Sequence, residues 1–248
     1  MGILKNLTEE YFGNTIREED EINIDGLDVE IVSFTDNNGK KHRRGYKPKD
    51  RDTLEKLLER MIKMRGDEGD FNDIDTSDIE SMESLFEYNK KFNGDITGWN
   101  ISSVRNMRNM FSYAESFNQP IGNWKFPNVI DMSGMFYYAK SFNQDISKWK
   151  FPNVTDMNSM FYGASSFNQP IGNWEFPNVT DMSDMFYDAS SFNQPIGNWK
   201  FPNVERMKCM FSGATSFNQD LSKWDLKGKK KTEIFKGCPI KDEYKPKM

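Results

Sequence analysis

The chain has 248 residues, of which 36% are hydrophobic, and its formal net charge is −5. This charge gives the whole chain no bias towards nucleic acid or an anionic membrane, and two cysteines cannot form a disulfide framework. Twenty phenylalanines argue against a disordered chain. The composition favours an elongated array of thin layers, because each layer needs only a narrow core.

The start of the chain predicts no export signal. MGILKNLTEEYFG lacks the apolar core of a signal peptide. No run of 18 apolar residues occurs in the sequence, so we expect no transmembrane segment. From these features alone the expected location is the cytoplasm.

Residues 1–70 are predicted to form an α+β capping module. A short apolar stripe opens it, at Leu4, Leu7, Tyr11 and Phe12. Asp25-Gly26 and a second turn signal at 36–39 predict a small antiparallel sheet over about residues 20–46. An amphipathic helix is then predicted, with Asp50 or Asp52 as N-cap and Gly66 just past its end. Its apolar face is Leu54, Leu57, Leu58, Met61 and Ile62.

Residues 71–226 repeat with a period of 25. The six tryptophans of the chain all keep this step, at Trp99, Trp124, Trp149, Trp174, Trp199 and Trp224. A fixed period of this size is typical of solenoids, in which each unit is buried only by stacking on its neighbours. Within one unit, Val129, Met132, Met135, Phe136 and Ala139 have helical spacing. Asp131 is the expected N-cap of that helix, and Trp149 and Phe151 alternate as in a short strand.

The predicted fold is therefore an α/β solenoid similar to leucine-rich repeats, with about six units of one short strand and one short helix each. The small module at residues 1–70 caps its first layer. The period breaks after Trp224, where Ile234-Phe235-Lys236-Gly237 repeats the Met210-Phe211-Ser212-Gly213 pattern one residue out of step. Residues 227–248 are predicted to be a short C-terminal cap and tail.

The units resemble the 25-residue repeat of the bacterial BspA-like leucine-rich-repeat surface proteins. The matching pattern is FNQ-x-I-x-x-W followed by NVTDM-x-x-MF-x-x-A, over about residues 71–240. The resemblance implies a surface protein that adheres to host or neighbouring cells, and it implies no enzymatic residue. It also places the protein at the cell surface or outside the cell, whereas the start of the chain predicts the cytoplasm.

Most of the repeated residues are predicted to be structural. Six tryptophans in register are expected in a solenoid core, although a sugar-stacking platform is the alternative. The asparagines at 118, 143, 168, 193 and 218 are expected to form a hydrogen-bonded ladder. Asp131, Asp156 and Asp181 are interpreted as helix N-caps rather than a calcium site. Cys209 is expected to be exposed, and its pairing with Cys238 is left open.

Two surface columns are the candidate binding strips. Tyrosine is amphipathic and enriched at interface hot spots, so the first column is Tyr137, Tyr138, Tyr162 and Tyr187. The second lies on the outward side of the predicted strands, at Lys125, Lys150, Glu175 and Lys200.

The sequence predicts a non-enzymatic binding protein. The single histidine, His42, has no second histidine or cysteine near it in sequence, so neither a catalytic site nor a metal or cofactor is expected. We expect a monomer that binds a protein partner, with a glycan as the alternative ligand and no nucleic acid. The alternative function is an intracellular scaffold or regulatory protein that uses the same surface.

Overall fold

The computed structural model describes residues 22–35 and 41–247. The apolar stripe predicted at Leu4 to Phe12 lies outside the described residues. Strands β1 (Val29–Thr35) and β2 (Lys41–Pro48) form a two-stranded antiparallel sheet. Their register runs from Val29 opposite Pro48 to Thr35 opposite Lys41, with an irregularity between Val32 and Phe34.

Helix α1 (Arg51–Arg65) follows β2 and has the caps that its sequence predicts. The Asp50 side chain accepts a hydrogen bond from the Thr53 N–H at 2.9 Å, so Asp50 rather than Asp52 is the N-cap. Gly66 ends the helix with φ at +78°, and its N–H donates to the Ile62 carbonyl. The apolar face buries Leu54, Leu57, Leu58 and Met61.

We call residues 71–226 the repeat array. The sheet and α1 are joined to the first part of this array. The Tyr46 N–H donates to the Asp73 carbonyl, and the Tyr46 carbonyl accepts from the Asp75 N–H, both at 2.8 Å. Arg65 at the end of α1 forms a two-pronged ion pair with the Asp73 carboxylate at 2.7 and 2.8 Å. These contacts close the exposed edge of the first unit.

Consecutive units of the repeat array lie beside one another and are linked by parallel backbone bridges. Each unit contributes one bridge residue, at Ser81, Asn106, Asp131, Asp156, Asp181 and Arg206, and Lys230 of the C-terminal segment continues the series. Alternate backbone N–H groups then donate to carbonyls of the next unit. The donor and acceptor residues are, for example, Met107 and Asp131, Phe111 and Met135, and Tyr113 and Tyr137. The 25-residue period of the sequence therefore appears as a backbone ladder between units.

The expected helix of each unit is instead a pair of successive turns. The Met135 N–H bonds to the Met132 carbonyl three residues earlier, whereas the Phe136 N–H bonds to Met160 of the next unit. The third residue of each turn has a positive φ, +61° at Gly134 and +50° at Tyr138. A helix would need negative φ and bonds to the fourth preceding residue throughout. Two successive turns of this kind give apolar residues the same spacing as a helix does, which is why the periodicity predicted a helix.

The expected short strand of each unit is also not formed in the described part of the array. Residues 149–151 have no strand assignment, and the Trp149 N–H closes a turn on the Ile146 carbonyl at 3.1 Å. Because the backbone ladder belongs to the turn side of each unit, the tryptophan side is held by side-chain packing and by side-chain hydrogen bonds to backbone carbonyls of the previous unit.

One continuous apolar core runs through the cap and the array. A column of phenylalanines from Phe86 to Phe211 stacks with ring centroids 5.5 to 5.6 Å apart. Full burial of each such ring contributes roughly 1.5–3 kcal/mol to folding. Because the rings contact rings of neighbouring units, an isolated unit would not gain this stabilisation.

The predicted asparagine ladder is confirmed, and it begins one unit earlier than expected, at Asn93. Each Oδ1 accepts a hydrogen bond from the N–H of the asparagine 25 residues later, at 2.9 to 3.0 Å. The last rung is the Lys241 N–H, which donates to Asn218 Oδ1 at 3.0 Å. We call this set, Asn93 to Asn218, the asparagine ladder.

The C-terminal residues continue the backbone ladder with a spacing shorter by one residue. The Phe111 N–H donates to the Met135 carbonyl, 24 residues later, whereas the Phe211 N–H donates to the Ile234 carbonyl, 23 residues later. Beyond this point the Leu221 N–H donates to the Tyr244 carbonyl, beside a one-turn 3₁₀ helix at Asp242–Tyr244. In residues 22–35 and 41–247, no helix is long and apolar enough to cross a membrane.

Candidate functional site

The six tryptophans lie in the core and do not offer a stacking face to solvent. Their exposed fractions are between 0% and 5%. Five of their indole N–H groups donate to a backbone carbonyl 28 residues earlier, at 3.0 to 3.3 Å. These bonds fix the rings against the previous unit, and so the side chains cannot serve as a platform for sugars.

The tyrosines form one contiguous surface that is larger than the sequence indicated. We call this surface the tyrosine strip. It comprises Tyr88, Tyr113, Tyr137, Tyr138, Tyr162 and Tyr187. Tyr88 and Tyr113 were not among the predicted site residues, although both lie in 25-residue register with Tyr138. Extending the column towards the N-terminus would have found them.

The strip consists of two columns, which meet in the unit that contains Tyr137 and Tyr138. In the first column Tyr88, Tyr113 and Tyr138 stack with ring centroids 4.9 and 5.2 Å apart. In the second, Tyr137, Tyr162 and Tyr187 stack at 4.6 and 4.5 Å.

An edge-to-face contact of 5.0 Å between Tyr137 and Tyr138 joins the columns. Tyr88 is 64% exposed and the other five rings are partly buried, so each ring offers some of its surface to solvent.

The hydroxyl groups of Tyr137 and Tyr162 stay protonated near neutral pH. Burial, and then the neighbouring Tyr113, raise the pKa of Tyr137 to about 12. Burial, and then the surrounding tyrosines, also raise the pKa of Tyr162. Both groups can therefore donate as well as accept hydrogen bonds, in addition to the apolar contact of their rings.

The first column is held in an unfavourable backbone conformation. Tyr88, Tyr113 and Tyr138 have φ at +60°, +56° and +50°, in the left-handed region that bulky side chains rarely adopt. Gly163 follows in the same column, and a Cβ on it would lie 2.6 Å from Tyr138 Cδ1. The absence of a side chain there makes room for the Tyr138 ring over the fourth unit. Strain of this kind is retained where the surrounding structure enforces it, often at functional sites.

Charged groups border the C-terminal end of the strip. Asp184 and Asp188 are close enough to Tyr137 and Tyr162 to contribute to their raised pKa values, and Asp188 is exposed. Burial raises the pKa of Asp184 itself. The strip therefore joins a large aromatic area to carboxylates at one end.

The second predicted column is a separate exposed surface. Lys125, Lys150, Glu175 and Lys200 are all exposed. Lys125 and Lys150 border a groove beside Trp99 and Trp124. The column thus lies on the tryptophan side of the units, whereas the tyrosine strip lies on their turn side.

The aspartates expected to cap helices cap turns instead. Oδ1 of Asp131, Asp156 and Asp181 accepts from the N–H two residues later at 2.8 Å, which is an Asx turn. Asp181 also forms an ion pair with Arg206 at 2.6 Å. Among the described residues no group of three His, Cys, Asp or Glu side chains is arranged to hold a metal ion. The side chain of His42 lies outside the described residues.

A family model described as "Mycoplasma protein of unknown function, DUF285" matches residues 54–164 and 144–244. The chain belongs to this family. The two matches together include most of α1 and the whole repeat array, and the tyrosine strip lies within them. No curated protein and no solved structure matched the chain.

In this DUF285 chain both cysteines are free. Cys209 is buried rather than exposed, and its thiol lies 4.0 Å from Glu233 Oε2. Burial raises the pKa of both thiols, and the Cys238 thiol donates to the Phe217 carbonyl at 3.4 Å. Neither group has the lowered pKa of a reactive cysteine.

Proposed function

We propose that this chain is a non-enzymatic binding protein whose units form a solenoid of the leucine-rich-repeat kind, and that the tyrosine strip binds a protein partner. The observation that supports the strip is the contrast between the two aromatic sets. The tryptophans are buried and bonded to backbone, whereas six tyrosines stack in an uninterrupted, partly exposed surface. Clustered amphipathic rings are typical of protein–protein hot spots and favour a protein partner, whereas the tryptophan faces that a glycan platform would use are buried.

The resemblance to BspA-like surface proteins supports a partner outside the cell, with adhesion to host or neighbouring cells as the activity. A cytoplasmic scaffold would use the same surface on an intracellular partner. Protease treatment of intact producing cells, with a cytoplasmic protein as control, separates the two. Cleavage of the chain while the control stays intact supports the adhesin, and protection of both supports the scaffold.

Site-specific photo-cross-linking tests the strip itself, on producing cells alone and on producing cells in contact with host or neighbouring cells. The photoreactive residue p-benzoylphenylalanine replaces Tyr162 or Tyr187 in one set of variants, since its ring and backbone needs are close to those of tyrosine. The matched set carries it at the exposed positions Lys125 and Lys200. We expect a discrete cross-linked product from the strip positions alone. Cross-links from the lysine positions only, or from neither set, would refute the tyrosine strip as the binding surface.

A further inference from the structure

The last layer of the backbone ladder, residues 230–237, leaves a row of backbone donors unused. In the preceding unit, the ladder donors are the N–H groups of Met207, Cys209, Phe211 and Gly213, and they all bond to carbonyls of this last layer. The equivalent N–H groups of the last layer belong to Lys231, Glu233, Phe235 and Gly237. Among the described residues these four groups have no acceptor. We call this row the N–H edge.

The N–H edge offers donors and no acceptors. The carbonyls of Lys231, Glu233 and Phe235 already accept bonds within their own turns, from the N–H groups three residues later. Glu233 and Gly237 have positive φ, at +54° and +70°. Successive N–H groups in turns of this kind form a concavity that binds anions. The edge therefore suits a ligand that is rich in acceptors.

The end of the chain leaves the N–H edge open. Beyond Gly237 the chain follows the asparagine ladder, where the Lys241 N–H donates to Asn218 Oδ1 at 3.0 Å. Glu233 and Gly237 are exposed. The only atoms that a Cβ on Gly237 would meet within 4 Å, among the described residues, belong to Gly213 of the preceding layer.

The column of phenylalanines also ends at this edge. Phe235 stacks on Phe211 with ring centroids 5.8 Å apart, and no further ring of the described residues stacks on it. Phe211 is fully buried, whereas Phe235 is only half-buried. An apolar ring face is therefore available beside the unused donors.

The residues around the N–H edge are basic. Residues 227–247 contain eight lysines and three carboxylates, a net charge of +5 in a chain whose total is −5. Each carboxylate already has a lysine partner, in the pairs Glu233–Lys236, Asp242–Lys245 and Glu243–Lys241 at 3.0, 2.6 and 3.9 Å. Lys227 and Lys230 are exposed and pair with no carboxylate of the described residues. The surplus positive charge favours an acidic ligand.

A second copy of the chain does not fit this surface. Two N–H edges would oppose donors with donors and lysines with lysines. The first unit, at the other end of the array, is covered by α1, where Arg51 Nε donates to the Glu83 carbonyl at 2.8 Å. Inside the array, each row of N–H groups bonds to the backbone of the next unit, beside a stacked phenyl ring. A protein segment can provide the same combination.

We propose that the N–H edge binds an acidic segment of a partner protein that contains an aromatic residue. Carboxylate and carbonyl oxygens of the segment accept bonds from the four N–H groups, and bonds to carboxylates are the stronger ones. Lys227 and Lys230 neutralise its charge. Its aromatic side chain stacks on the open face of Phe235. This surface is separate from the tyrosine strip, so a failure here leaves that proposal intact.

The probe is the peptide Asp-Glu-Phe-Asp-Glu with both ends blocked. It is titrated into the full chain labelled with ¹⁵N, while the backbone N–H resonances are followed by NMR. We expect saturable binding with the largest shifts at the four N–H groups of the edge. The neutral peptide Asn-Gln-Phe-Asn-Gln should bind about tenfold more weakly, because it loses the charge-assisted bonds. The peptide Asp-Glu-Ala-Asp-Glu, which lacks the ring, should also bind more weakly.

Exposed lysines provide variants that leave the core unchanged. Lys227→Gln with Lys230→Gln should weaken binding of the acidic peptide about tenfold, as expected for the loss of two surface charge contacts. Lys125→Gln with Lys200→Gln removes the same charge from the tryptophan side and should leave binding unchanged. Equal binding of the acidic and neutral peptides, full binding by the Lys227 and Lys230 variant, or shifts only outside the edge would overturn the proposal. So would shifts at the edge with oligouridylate and none with the peptide, since the edge would then be a nucleic-acid site.

Discussion

Asn168 in the middle of the asparagine ladder allows a direct test of what holds the units together. Its Oδ1 accepts the Asn193 N–H at 3.0 Å and the Gln194 side-chain amide at 3.0 Å. Asn168→Ala removes this acceptor and leaves a partly buried backbone N–H without a partner. Gln194 keeps its second bond, to the Asn168 carbonyl at 2.9 Å.

The expected loss of stability follows from the Asn193 N–H, which is left without its acceptor. Leaving a buried donor unsatisfied costs about 1–3 kcal/mol, and partial solvent access at this site favours the lower half of the range. For a chain of this size, a loss of about 1–2 kcal/mol lowers the melting temperature by roughly 2–8 °C. Asn168→Asp retains the acceptor and should cost less than half as much at neutral pH.

Asn178→Ala is the matched control. Asn178 is exposed, and its amide donates to the Pro152 carbonyl at 2.6 Å, outside the ladder. Removal of this surface bond should change stability by no more than about 0.5 kcal/mol. Urea unfolding followed by tryptophan fluorescence gives the free energy of each variant, because the tryptophans report on the stack. The explanation fails if Asn168→Ala and Asn178→Ala are equally stable, or if Asn168→Asp is as unstable as Asn168→Ala.

Two further changes test the turns of the repeat array. Gly163→Ala should destabilise the chain by about 1–3 kcal/mol in urea unfolding, because it combines a positive φ with a clash against Tyr138. Gly26→Ala has the same backbone penalty but no atom within 4 Å of the new Cβ, so an equal loss in both variants would exclude the clash. Burial, with Asp131 and Asp181 nearby, raises the pKa of Asp156 above its ordinary value of 3.8. The unfolded chain therefore loses this proton at a lower pH than the folded chain does, and the wild type loses stability as the pH rises from 3.8 through the pKa of the folded state. Asp156→Asn should therefore be more stable than wild type at pH 7 and equal to it below pH 3.8, and a pH-independent difference between their urea midpoints would contradict this assignment.

The period of the sequence predicted which residues stack, because stacking depends only on register. The buried tryptophans and the bonded asparagines of the units follow directly from a step of 25 residues. The cap was also predictable, since Asp50 and Gly66 are helix signals with local physical causes.

The local conformation of each unit was not predictable in the same way. Apolar spacing in a helix and in two successive turns is the same at Val129, Met132, Met135 and Phe136, so the pattern does not distinguish them. The distinguishing signal is weak: Gly134 and Gly163 stand at positions where turns require positive φ. The tyrosines that occupy one of these positions in the first units oppose that signal, because a bulky residue at positive φ is unfavourable.

Departures from the repeat indicate where function is to be sought, because identical side chains at every step are explained by stacking alone. The tyrosine strip changes column between Tyr138 and Tyr162, and this change needs Gly163 beneath the Tyr138 ring. Tyr88, Tyr113 and Tyr138 have a positive φ that glycine adopts without strain at the equivalent positions 163 and 213. Stacking alone would favour glycine at these turn positions, so the three tyrosines support the proposed role of the tyrosine strip in binding.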